Sequence, residues 1–216
     1  MSLTVPLKTI ELTPGSHISI PDITWQDFEQ ILIDLGEKRN TRVAYYQGLL
    51  EIMSPLAIHE RPHRIIADIV KAILETEERD WEDFGSTILK RPLLAGIEPD
   101  TCFYIDNAAL VKGCTNLNLD DYPPPDLAIE SDVTSKTSLN AYQAIRVAEV
   151  WIYQRSRLKI YRFSEQGYQE TPISPSFPHL PLTTMIPELI QKAIYQRTRL
   201  MLRDLKKELE ATKMRE

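Results

Sequence analysis

The chain has 216 residues, of which 43% are hydrophobic and 26% charged, and its net charge is −6. That length and mix suit one domain with a full core. The acidic balance argues against a protein that coats nucleic acid through general basic charge, although a local basic patch remains compatible with it.

No apolar run reaches the ~18 residues of a membrane span. The opening MSLTVPLKTIELTPG lacks the charged-then-apolar pattern of a secretory signal. The expectation is therefore no membrane contact and a cytoplasmic location, which the two cysteines fit. Cys102 and Cys114 form no disulfide framework and no metal-ligand spacing, and Cys102 reads as a core thiol.

Taken in order, residues 1–15 read as a flexible leader, and HISIP at 17–21 as a short strand. ITWQDFEQILIDLG has helical spacing and ends at Gly36, a natural C-terminal cap. RVAYYQGLLEIM at 42–53 reads as a hairpin turning at Gln47-Gly48, with Glu51 in its second strand. A helix is expected over 62–78, with Ile66, Ile69, Val70 and Ile73 as its stripe, and a strand around 87–93. Two strand-like segments follow, EPDTCFYI and PPDLAIES, separated by a turn-rich insertion with one short helix, a candidate lid element. Thr134 or Ser135 is placed to cap a helix over 137–146 that turns Leu139, Tyr142 and Ile145 inward. EVWIYQ and LKIYRF alternate as a hairpin around Arg155-Ser156, and QGYQETPI reads as an edge strand. Residues 172–187 read as irregular. From Ile186 to the end the pattern is one long charged helix, whose thin stripe of Leu189, Ala193, Leu200 and Leu205 points to a partner subunit or to solvent. The organisation expected is a leader (1–15), a main domain (16–185) and a C-terminal charged helix (186–216).

The chemistry concentrates between Glu98 and Lys136. Period-two alternation puts Asp100, Cys102 and Tyr104 on one face of their strand, and Asp126, Ala128 and Glu130 on one face of the next. Neighbouring strands lie roughly 4.8 Å apart, so Asp100 and Glu130 come close enough to hold one cation if these two strands pair. Two carboxylates with a nearby lysine, here Lys136, are what metal-assisted phosphodiester hydrolysis requires. Asp126 precedes Glu130 by four residues on one strand, about 13 Å by strand rise. The two cannot share an ion, and Asp126 reads as a turn or structural residue.

Four stretches, YYQGLLEIMSPLAIHERPHRII, GIEPDTCFYI, PPDLAIESDVTSKT and AYQAIRVAEVWIY, resemble the Uma family of restriction-endonuclease-like proteins within the PD-(D/E)XK nuclease superfamily. The resemblance spans about residues 16–180. It implies an α/β restriction-endonuclease-like core, with a central mixed sheet flanked by helices, and Mg²⁺- or Mn²⁺-dependent cleavage of DNA. It puts Asp100 at the PD position and Glu130 at the acidic position of the third motif strand, both as metal ligands and catalytic residues. The motif lysine is absent two residues after Glu130, where Asp132 stands, and Lys136 is the residue to which the catalytic lysine would relocate. Glu51 and His63 also resemble family positions and are supporting candidates, Glu51 as a further carboxylate and His63 as a phosphate or water contact or a hydrogen-bonded core histidine.

The alternative is a nuclease fold without activity, used to bind DNA or protein. A homodimer is expected by analogy with enzymes that cut both strands. His59-Glu60-Arg61-Pro62-His63 matches the H-E-x-x-H zinc pattern formally, but a helix beginning near Pro62 would leave His59 in the preceding loop.

Overall fold

The fold comes from a computed structural model, which describes residues 11–36, 39–55, 57–131 and 136–214, without the side chains of 57–60 and 136–137. Two sheets stack with a helix between them. The first is wholly antiparallel, in the order β1-β3-β2-β6-β5, from β1 (His17–Ile20), β2 (Arg42–Tyr46), β3 (Leu49–Met53), β5 (Leu89–Arg91) and β6 (Ala95–Ile97). The second runs β11-β10-β9-β8-β7-β4, from β4 (Glu82–Asp83), β7 (Thr101–Tyr104), β8 (Leu127–Ser131), β9 (Glu149–Gln154), β10 (Arg157–Ser164) and β11 (Gly167–Thr171). Its β8–β9 pair is parallel and its other pairs antiparallel, so this is the central mixed sheet expected from the sequence. The strands before Asp100 do not extend it. Apart from two-residue β4, they form the first sheet.

Alternation within the strands assigns each face. In β2, Val43 and Tyr45 point to helix α1 (Trp25–Leu35), whose Trp25, Phe28 and Ile31 fill the outer core of the first sheet. Thr24 and Asp27 close a reciprocal capping box at the start of α1, and Gly36 ends it at φ 72°. Ala44 points the other way, to α3 (Lys136–Ile145). There Ala141, Tyr142 and Ile145 pack between the two sheets against Ala95, Ile97, Cys102, Ala128, Val150 and Ile152. The opposite residues of the second sheet, Phe103, Leu127, Ile129, Trp151 and Ile160, face α2 (Ala57–Thr76). Both hairpin turns lie where the sequence puts them: Gln47-Gly48 and Arg155-Ser156 each have positive φ at both positions, as the right-handed twist of a two-residue hairpin requires.

Four expectations are corrected. Helix α2 begins at Ala57, so Pro62 is inside it and the backbone of His59 is helical. A proline at the sixth helical position forfeits one i→i−4 hydrogen bond and crowds the preceding turn, a cost of about 3 kcal/mol that the burial of Ile65, Ile66, Ile69, Val70 and Ile73 outweighs. The C-terminal region is two helices, α4 (Leu182–Gln196) and α5 (Thr198–Lys213), broken at Arg197 with φ 88°. They fold back instead of projecting: Ile186, Leu189, Ile190, Ala193, Met201 and Leu205 share the core of α2 and the mixed sheet. Lys206 pairs with Glu75, and Lys213 with Glu78 at 2.9 Å. The stripe of α5 is thin because one edge of that helix suffices to meet α2 and α4. Helix α4 also replaces the end of the irregular stretch expected over 172–187, and the strand expected over 87–93 is a hairpin, β5 and β6.

Candidate active site

Strands β7 and β8 are neighbours, with Thr101 opposite Ile129 and Cys102 opposite Ala128. Asp100 stands just before β7, and its Oδ2 accepts the Ser131 N–H at 2.7 Å. Glu130 points to the α3 side, where it is 6% exposed and accepts the Tyr142 hydroxyl at 2.5 Å. Asp100 and Glu130 are thus adjacent across a strand pair, on the face that alternation assigns them.

Burial pushes the Glu130 carboxyl well above its usual range, and the neighbouring charge of Asp100 pushes it further the same way. The Tyr142 hydroxyl, a backbone hydrogen bond with Asp100 and the Arg42 guanidinium pull it back in part. Two carboxylates forced together out of water are a poor arrangement by themselves and a good one around a cation.

Two other side chains close on Asp100. His63 on α2, also buried, has Nδ1 3.7 Å from Oδ2, and Arg42 on β2 has Nε 3.8 Å from Oδ1. Arg42 also lies 3.5 Å from Glu98, which Arg39 holds at 2.7 Å. A small cleft of about 40 Å³ opens beside them between the first sheet and α3, and Glu51, Glu98, Arg42, His17, Glu130 and Ser138 are among its lining residues. Glu51 therefore shares a cleft with Glu130. Lys136 is the first residue of α3, immediately beyond β8 and the undescribed stretch; its side chain lies outside the described residues, as does all of Asp132. Thr134 and Ser135, the expected caps, also lie outside them.

Asp126 is elsewhere and fully employed. Its carboxylate accepts the N–H groups of Ile105 and Asn107 and the Asn107 side-chain amide, at 2.6–3.0 Å. It ties down the segment leaving β7. Cys102 is a buried thiol whose pKa burial raises, consistent with a core residue.

Arg42, Glu98 and Tyr142 were not singled out from the sequence as site residues. Tyr142 was legible only as an inward residue of its helix. Glu98 precedes Asp100 by two and Arg42 precedes Ala44 by two, so each shares a strand face with a residue pointing to the site. That signal is readable only once the sheets are known to stack.

Among the described residues no group of three or more His, Cys, Asp or Glu side chains is arranged to hold a metal. The donors nonetheless fit Mg²⁺ or Mn²⁺, hard cations that bind through one or two carboxylates and keep water or substrate oxygens at the remaining positions. Asp100 and Glu130 would each offer an acidic oxygen, and an ion between them would offset the repulsion of their charges.

The mixed-sheet α/β core thus brings Asp100 and Glu130 together beside a cleft that Glu130 lines. The chain belongs to the Uma2 family, described as "Putative restriction endonuclease", whose family model matches residues 25–194. A solved crystal structure described as a "putative nuclease belonging to DUF820", from Anabaena variabilis ATCC 29413, is similar with a TM-score of 0.49 and 16% identity, covering 83% of this chain and 99% of that one. No curated protein matches. No helix among the described residues is long and apolar enough to cross a membrane.

Proposed function

We propose that this chain is a metal-dependent endonuclease that hydrolyses DNA phosphodiester bonds, with Asp100 and Glu130 as its Mg²⁺ or Mn²⁺ ligands. The observation that carries this reading is the pairing of buried Glu130, which lines the cleft, with half-buried Asp100, whose charge raises the cost of ionising it. The bound ion would supply Lewis-acid activation of the phosphodiester and of the attacking water. The chain's own groups hold the ligands in place: the Ser131 N–H fixes one oxygen of Asp100, and Tyr142 fixes one oxygen of Glu130. Glu51 stands across the cleft as a further carboxylate, and His63 lies against Asp100 from the α2 side. Lys136, at the start of α3, is the candidate for stabilising charge on the phosphate. Cutting both strands of a duplex would call for two copies, and a homodimer is part of this proposal.

The test is calorimetric titration with Mg²⁺ and Mn²⁺, beside a plasmid-nicking assay, for wild type, Asp100→Asn and Glu130→Gln. Binding and nicking that both vanish in the two variants support the reading. Metal binding with no nicking of any DNA form leaves a nuclease fold used for binding alone, and no metal binding overturns the proposal.

A further inference from the structure

We infer that Arg42 is the residue that grips the substrate phosphate, and that Glu98, itself fixed by Arg39, aims it. This rests on the nuclease reading above and names a group that the carboxylate pair does not supply. Glu51, Glu98 and Glu130 line the cleft and Asp100 lies beside it, so a phosphodiester entering there meets acidic side chains and needs a cationic partner. Arg42 is the one Lys or Arg among the described residues that line it.

Its position follows from register. Arg42 is opposite Met53 and Ala44 is opposite Glu51 in the β2–β3 ladder, so Arg42 and Glu51 are diagonal neighbours on the face that looks toward α3. From that face the guanidinium reaches within 3.8 Å of Asp100, bridging the first sheet to the carboxylate pair of the second. Glu98 is held from two sides. The tight contact is to Arg39 at 2.7 Å, the length of a charge-assisted hydrogen bond, and Arg39 also donates to the Gly36 carbonyl at 3.0 Å. The contact of Glu98 with Arg42 is longer, at 3.5 Å. Glu98 thus has Arg39 as its close partner and orients Arg42 by charge. Alongside its contacts to Glu98 and Asp100, Arg42 brings to the cleft wall a guanidinium, whose planar fork matches two phosphate oxygens better than an ammonium does.

The experiment is fluorescence anisotropy of a short labelled DNA duplex with Ca²⁺ in place of Mg²⁺, over a range of salt, with Mg²⁺ calorimetry and thermal melting on the same samples. Arg42→Ala is expected to weaken duplex binding about tenfold and to lower the slope of log affinity against log salt by about one phosphate's worth. Its Mg²⁺ affinity should change less than its duplex affinity, and the lowered salt slope is a pattern that a merely structural role would not produce. Arg42→Lys should keep the salt slope and recover part of the affinity, and Glu98→Gln should weaken binding less than Arg42→Ala does. A wild-type duplex affinity and slope in Arg42→Ala would overturn the inference while leaving the nuclease reading intact, as would loss of Mg²⁺ binding in parallel with DNA binding. A wild type that neither binds the duplex nor nicks DNA would bring down the nuclease reading, and this inference with it.

Discussion

Tyr142 on α3 donates its hydroxyl hydrogen to Oε1 of Glu130 on β8, and both side chains are buried between the two sheets. That contact couples the helix following the second acidic strand to the acid itself. It also bears on when the acid is charged, because a donor to a carboxylate favours the ionised form against burial.

Removing that donor should therefore shift metal binding along the pH axis. Tyr142→Phe takes away one of the influences that lower the Glu130 pKa, so its carboxyl will ionise at higher pH than in wild type. We expect Mg²⁺ affinity near neutrality to fall about tenfold, consistent with the ~1.5–3 kcal/mol of a hydrogen bond to a charged group, and to recover as pH rises. Calorimetric titrations at several pH values check this; an affinity loss of the same size at every pH would count against it.

Glu130→Gln should stabilise the metal-free protein while abolishing its metal binding. The folded-state pKa of Glu130 is raised, so between its ordinary value and the raised one the folded chain holds a proton that the unfolded chain has released. Stability from this group is therefore full at acid pH and lost as pH rises through that window. Glutamine keeps an acceptor for Tyr142 without the charge. The melting temperature at neutral pH should rise by roughly 2–5 °C, and the gain should disappear in acid.

The two Pro-Asp aspartates should respond oppositely. Asp100→Asn is expected to eliminate metal binding with little loss of stability. Asp126→Ala leaves the N–H groups of Ile105 and Asn107 without their acceptor and should cost roughly 2–3 kcal/mol in urea denaturation, with Mg²⁺ affinity unchanged. Exchanged phenotypes would place the site at Asp126 instead.

Gly96 on β6 tests the first sheet. A Cβ there would sit 2.6 Å from two ring carbons of Phe28, which is fully buried and stacked on Tyr45 at 4.8 Å. The ring has no room to retreat, so Gly96→Ala should cost about 1–3 kcal/mol, measured by chemical denaturation.

The local grammar of the chain was legible from its residues. Gly36 as a cap, the turns at Gln47-Gly48 and Arg155-Ser156, the faces of β7 and β8 and the separate role of Asp126 all follow from φ preference, strand period and strand rise, which act over a few residues. The family resemblance, too, was carried by short stretches, and the family match agrees with it. What the pattern could not carry was decided by contacts between distant segments. The break at Arg197 and the return of α5 onto α2 depend on apolar area buried between residues far apart in the chain. The stacking of the two sheets about α3 brings Arg42, Glu51 and Glu98 to the cleft that Glu130 lines, across separations that no local period encodes. Which carboxylates would come together was thus written in alternation along two strands, whereas Arg42, Tyr142 and the cleft were brought beside them by tertiary packing, because burial and charge act through space and not along the chain.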